Sequence, residues 1–89
     1  MVRMFVRHRV NDYTVWRKAY DAFETERSGF GVRGHAVFQT VSDANDLTAW
    51  HDFDTIEAAR SFANSGRLKE VMQAAGVASV PDIWFTNPT

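Results

Sequence analysis

Three histidines and three closely spaced arginines hold most of the chemistry available to this 89-residue chain. His8 follows Val2, Met4 and Val6 and precedes Val10 at alternate positions. Alternate side chains of a strand share one face, so this imidazole is set into an apolar row. There it must find a partner or accept a shifted pKa, and imidazole is the usual acid–base group near neutral pH. His51 has the same parity in the row Leu47, Ala49, His51 and Phe53. Together the two make a candidate acid–base pair, or a base beside a donor to a carbonyl or enolate. The plainer interpretation is two histidines hydrogen-bonded within a core or at its rim. His35 shares its row with Arg33, Val37 and Gln39, a row whose direction stays open at this stage. A metal site would need three ligands to converge, and none is expected.

Arg3, Arg7 and Arg9 occupy the opposite side of the first strand, with Phe5 between them. Cations interleaved with an aromatic ring suit a stacked single-stranded nucleic acid. A formal charge of -1 and the lack of any nucleic-acid module favour pairing of Arg7 or Arg9 with Asp52 instead, so no nucleic-acid partner is expected. Val15, Trp16, Ala19, Tyr20 and Phe23 form an apolar stripe at helical spacing. Such a stripe is ordinarily core and sometimes the wall of a planar ligand's site. Tyr13 and Tyr20 add phenolic hydroxyls. No phosphate-binding glycine loop, nucleophile elbow or His-Glu-x-x-His motif occurs, and Gly29-Phe30-Gly31 precedes a strand and not a helix. No cofactor is expected.

The elements that must position these groups follow from periodicity. Residues 1–10 alternate as a strand. Asn11 and Asp12 supply turn and N-cap chemistry for a helix of about four turns, which Ser28-Gly29-Phe30-Gly31 closes. Residues 32–41 and 47–53 read as two strands of a hairpin around the turn cluster 42–46. Asp54 with Glu57 resembles a capping box ahead of a second helix, in which Asn64-Ser65-Gly66 makes a break and which Gly76 ends. Residues 83–86 form a last strand. The order β-α-β-β-α-β is the ferredoxin-like unit, an α+β fold with both helices on one face of a four-stranded antiparallel sheet. The first and third strands are expected to be central and mutually parallel, which would place His8 and His51 near one another. The other sheet face is expected to carry Phe5, Trp50 and Trp84.

With 45% hydrophobic and 24% charged residues and two prolines, the chain suits one compact domain over residues 1–89. A chain this short buries a modest share of its surface, so a homodimer is expected, formed through Phe5, Arg7, Trp50 and Trp84. The absence of cysteine removes disulfides and thiolate chemistry. No segment approaches transmembrane length, and the N-terminus opens in arginine-bearing strand without the apolar run of a signal peptide. No membrane partner is expected, and a cytoplasmic location is.

The segments Arg7-His8-Arg9-Val10, Asp12-Tyr13-Thr14-Val15-Trp16, Asp43-Ala44-Asn45-Asp46 and residues 68–77, LKEVMQAAGV, resemble the dimeric α+β barrel superfamily. The likeness is greatest to its small single-domain members grouped with antibiotic-biosynthesis monooxygenases, some labelled "cyclase". It implies sheets facing one another across a dimer, and a cavity between helices and sheet in each subunit. It also implies a small organic ligand and either cofactor-independent oxygenation or a proton-transfer rearrangement. In that frame His8 is the base, His51 its partner, and Trp16, Tyr20, Phe53 and Met72 line the substrate site. The alternative is a ligand-binding or structural dimer without turnover. Haem-degrading relatives place an axial histidine in the second helix, where Met72 stands here; their strand-1 asparagine matches His8 and their strand-3 tryptophan Phe53. Haem degradation is therefore not implied.

Overall fold

A computed structural model describes residues 1–89. Strand β1 (Val2–Arg9) alternates buried and more exposed residues along its length, as its sequence pattern requires. Asp12 caps the helix that follows, its carboxylate accepting from the Val15 N–H. The expected four-turn helix is divided into α1 (Tyr13–Ala22) and α2 (Glu24–Gly29) at Phe23, whose buried ring pins the joint. Gly31, with φ 99°, then turns the chain into β2 (Gly34–Thr40).

Strand β3 (Asp43–Phe53) is longer than expected, because the hairpin turns at Val41 and Ser42 and residues 43–46 already belong to the ladder. Helix α3 (Ile56–Ala63) is capped by Thr55, which accepts from Ala58, and not by Asp54. Asp54 instead pairs with Arg33. The break at residues 64–66 is real: Ser65 accepts from Arg67 and Leu68 and so starts α4 (Gly66–Ala74). Strand β4 (Asp82–Thr86) completes the sheet.

The sheet order is β2-β3-β1-β4, and every neighbouring pair is antiparallel. This is the ferredoxin-like α+β architecture, with each of its two helices divided. One expectation fails. β1 and β3 are central but antiparallel, since the crossover through α1 and α2 restores the starting direction and the hairpin then reverses it. No helix is long and apolar enough to cross a membrane.

The core between sheet and helices consists of two clusters. One holds Met4, Phe23, Phe53, Phe62 and Leu68 among its members. The other is built from Val10, Trp16, Tyr20, Leu47 and Ala75. The seam between them is where the polar side chains of the interior gather.

Candidate functional site

The antiparallel register decides how the histidines are placed. His8 lies opposite Leu47, and His51 opposite Met4. Four residues of β1 therefore separate their levels, roughly 13 Å at strand rise. Both face the helices, and both are buried, at 5% and 4% exposure. They are not a contacting pair, as parallel strands would have made them; they line opposite ends of one cavity.

That cavity follows the seam between the two core clusters. It has a volume of about 50 Å³, and 11 of its 14 lining residues are hydrophobic. This is room for a few waters, against the hundreds of cubic ångströms of a typical ligand pocket. Leu68 and Met72 line it and also line an open groove of about 560 Å³ between α4 and residues 77–83. These two side chains are the partition between groove and cavity. Both are unbranched at Cβ, and methionine adapts its shape readily.

Trp16 and Tyr20 stand one turn apart on α1 and form an aromatic wall, with ring centroids 4.7 Å apart. His8 meets the Trp16 ring edge-on at 5.8 Å. Tyr20 Oη and His51 Nε2 share a hydrogen bond of 2.8 Å. The hydroxyl donates when Nε2 is bare and accepts when Nε2 holds the proton. His35 is opposite His51 in the β2–β3 register, its ring 6.3 Å from that of His51 and edge-on to Tyr20. This fixes the row of His35 on the helix side. No three metal-binding side chains converge.

Of the residues expected at the site, His8, His51, Trp16, Tyr20 and Met72 line the cavity. Phe53 does not. It is wholly buried in the first cluster, its ring 5.5 Å from Phe62. The antiparallel register carries it to the far end of β3, opposite Val2.

Of the other lining residues, one is charged and has no place among the residues expected at the site. Arg27 is 3% exposed, lies with its guanidinium 3.8 Å over the Tyr20 ring, and donates from Nη1 to the Tyr20 carbonyl. The signal was present: Trp16, Tyr20, Phe23 and Arg27 continue one helical stripe at spacings of four, three and four. A cation in such a stripe is as conspicuous as His8 in its apolar row.

Burial dominates the electrostatics. It pushes His51 down to about 3, with repulsion from Arg27 and His35 adding to the effect. It lowers His8 and His35 and raises Tyr20. It also draws Arg27 below the usual arginine value, yet a guanidinium keeps its proton. At neutral pH the site therefore holds one fixed positive charge, neutral imidazoles and a protonated phenol. His8 Nδ1, His51 Nδ1 and Arg27 Nε are the buried side-chain polar atoms without a hydrogen-bond partner, and all three residues line this cavity.

The outer face of the sheet is organised differently. Arg3 grips Asp52 through two hydrogen bonds of 2.8 and 3.0 Å and stacks over Trp50 at 3.8 Å. Arg7 pairs with Asp46 and Arg9 with Asp43. The expected partner of Arg7 or Arg9, Asp52, is thus taken by Arg3, which the antiparallel register sets directly opposite it. Phe5 and Trp84 stack at 5.4 Å on this face.

No protein-family model and no curated protein sequence matches the chain. Solved structures do. A Bordetella bronchiseptica protein described as a candidate antibiotic biosynthesis monooxygenase superposes with a TM-score of 0.84 at 13% identity, over 99% of this chain and 96% of that one. SnoaB of Streptomyces nogalater, a cofactor-independent oxygenase crystallised as a single-site variant, gives 0.77 at 12% identity over 98% and 91%. A candidate antibiotic biosynthesis monooxygenase of Nitrosomonas europaea gives 0.76 at 11% identity over 99% and 98%. At these identities the likeness is one of fold.

Proposed function

We propose that the protein binds a small organic molecule in the sheet–helix cavity and catalyses a proton-initiated reaction on it, a cofactor-independent oxygenation or an isomerisation. The observation that carries this reading is the concentration of unpartnered polar atoms at one cavity. Buried polar groups are ordinarily hydrogen-bonded, and His8 Nδ1, His51 Nδ1 and Arg27 Nε leave that requirement open where a ligand would meet it. The fold shared with a cofactor-independent oxygenase supports the reaction class.

Both reaction classes begin with removal of a proton from an enolisable carbon or a phenol. His8 is the base. It is neutral at physiological pH, and it lacks the hydrogen bond that occupies His51 Nε2. The Tyr20–His51 pair, at the other end of the cavity, donates to the ligand oxygen on which negative charge develops. Trp16 and Tyr20 hold a planar ring, and Leu68 and Met72 swing aside to admit it from the groove. In oxygenation the resulting carbanion bonds to dioxygen, the second substrate, whose O=O double bond becomes the single bond of a peroxide that takes the proton back from His8; in isomerisation the proton returns at another carbon.

The test is exchange of the acidic C–H protons of 2-tetralone in deuterium oxide, followed by NMR, with oxygen uptake recorded in parallel. The wild-type protein is expected to accelerate exchange, and His8→Gln to lose most of the acceleration. Exchange at the buffer rate in a sample that binds the ketone would leave the second reading, a ligand carrier without turnover. One observation favours that alternative: burial lowers His8 too, which weakens the base that the reaction needs.

We also propose that a second copy of the chain covers the outer sheet face, where Trp84 and Phe38 are 43% and 54% exposed beside Phe5, Arg7 and Trp50. The three arginines of β1 are each neutralised by an aspartate of β3, so two such faces meet without net repulsion. Sedimentation at micromolar concentration is expected to return a dimer, and Trp84→Lys a monomer. A wild-type monomer would refute the assembly.

A further inference from the structure

Eight arginines are present, and six of them, Arg3, Arg7, Arg9, Arg17, Arg33 and Arg67, pair with a carboxylate at 3.2 Å or less. Arg60 is exposed and needs no partner. Arg27 is the exception, buried in the core yet joined to no carboxylate. Asp21, which bears on it electrostatically, is taken by Arg17, and Glu24 is exposed. A buried charge left without a counter-ion is strongly unfavourable unless something else compensates it. Two local interactions do so in part, the Tyr20 carbonyl and the face of the Tyr20 ring. Neither carries a full negative charge, and Nε still has no acceptor.

We infer that the ligand of this cavity is an organic monoanion, an apolar body bearing one carboxylate or an equally acidic enol, and that Arg27 is its counter-ion. The inference rests on the cavity being a ligand site and adds the charge of what enters it. The placement suits the chemistry. Arg27 lies over the Tyr20 ring, whose hydroxyl bonds His51, and all three line the cavity, so the unpartnered Nε–H of the guanidinium and the unpartnered Nδ1 of His51 are both available to a ligand there. The remainder of the lining, 11 hydrophobic residues in 14, receives the apolar body. A guanidinium presents a planar fork that matches a carboxylate in two-point contact, which an ammonium does not. Arg27 is therefore a binding and charge-stabilising group, distinct from the base.

Matched pairs of probes that differ only in charge test this: acetate against acetamide, sized for the cavity as it stands, and benzoate against benzamide, which require Leu68 and Met72 to move. Binding is read by NMR from the Arg27 Nε–H and the His51 ring resonances at neutral pH. The wild-type protein is expected to prefer at least one acid over its amide by about tenfold or more, since charge-assisted hydrogen bonds are roughly twice as strong as neutral ones. In Arg27→Gln the acid is expected to lose that advantage while the amide binds as before, and Arg27→Lys should recover only part of it. If Arg27→Gln does not fold, the wild-type preference and its partial retention in Arg27→Lys decide the matter. Equal binding of acid and amide would overturn the inference and leave a neutral-ligand site intact. A preference for the acid that survives in Arg27→Gln would overturn it too. Binding of none of the four would overturn both this inference and the ligand-site reading beneath it.

Discussion

The two faces of the sheet treat charge in opposite ways. On the outer face every arginine of β1 meets an aspartate of β3: Arg3 with Asp52, Arg7 with Asp46, Arg9 with Asp43. On the inner face Arg27 meets none, and the imidazoles of His8 and His51 each keep one nitrogen without a partner. The outer pairs are closed systems in or near solvent, where each contributes little and registers the strands. The inner groups sit where desolvation is costly, and they keep hydrogen-bonding capacity unspent. Polar groups maintained at a cost in stability are where binding or catalysis is best sought.

The largest effect that would sharpen this contrast is on the apolar half of the inner face. Phe53→Ala removes a wholly buried ring and is expected to cost about 3–5 kcal/mol in denaturant unfolding. A small loss there would mean the inner face is looser than its packing indicates.

The next effect separates the faces by pH. His51 titrates near 6.5 when unfolded and about 3 when folded, so its neutral form stabilises the fold fully above 6.5. That contribution is lost as pH falls from 6.5 towards 3, with a limiting slope of about 1.4 kcal/mol per pH unit. His8 and His35, also lowered by burial, act in the same direction. Asp43 and Asp46, lowered by Arg9 and Arg7 respectively, lose their contribution only as pH falls below about 4. Between pH 6.5 and 4, unfolding free energy is thus expected to fall because of the inner face, and His51→Gln to flatten the curve. An unchanged slope in that variant would break the comparison.

Tyr20→Phe leaves His51 Nε2 buried without its hydrogen bond, and a loss of about 1–3 kcal/mol is expected by thermal or chemical denaturation. The smallest effect belongs outside. Arg7→Ala, at an exposed pair, is expected to leave the melting midpoint nearly unchanged, and any shift to vanish at high salt. A large, salt-insensitive loss would show that the outer pairs are more than surface contacts.

The two kinds of charge were unequally visible in the sequence. Period-two alternation in residues 1–10 and the helical stripe of Trp16, Tyr20 and Phe23 were enough to order the elements and to assign His8 and His51 to the buried side. Local chemistry also marked the break before α4, because Ser65 follows a run that could not continue without a cap. The cap of α3 is one residue later than the sequence suggests: Asp54 and Thr55 are both competent N-caps, and Arg33, distant in sequence, engages the aspartate. Arg27 is hard to read from the sequence because an arginine near a helix end is ordinarily solvated or set against the helix dipole; only continuation of the stripe marks it.

The sequence by itself determined the α+β order, the face to which each strand residue turns and the apolar character of the interior, since these depend on periodicities that side-chain types impose locally. The tertiary structure alone decided who meets whom. The direction of β3 against β1 follows from the path of the whole chain, and it puts His8 and His51 at opposite ends of the cavity. That direction gives Asp52 to Arg3, sends Phe53 into the core and leaves Tyr20 as the partner of His51. It also leaves Arg27 buried with no carboxylate in reach, because the position of a counter-ion is a property of packed neighbours and not of neighbours along the chain.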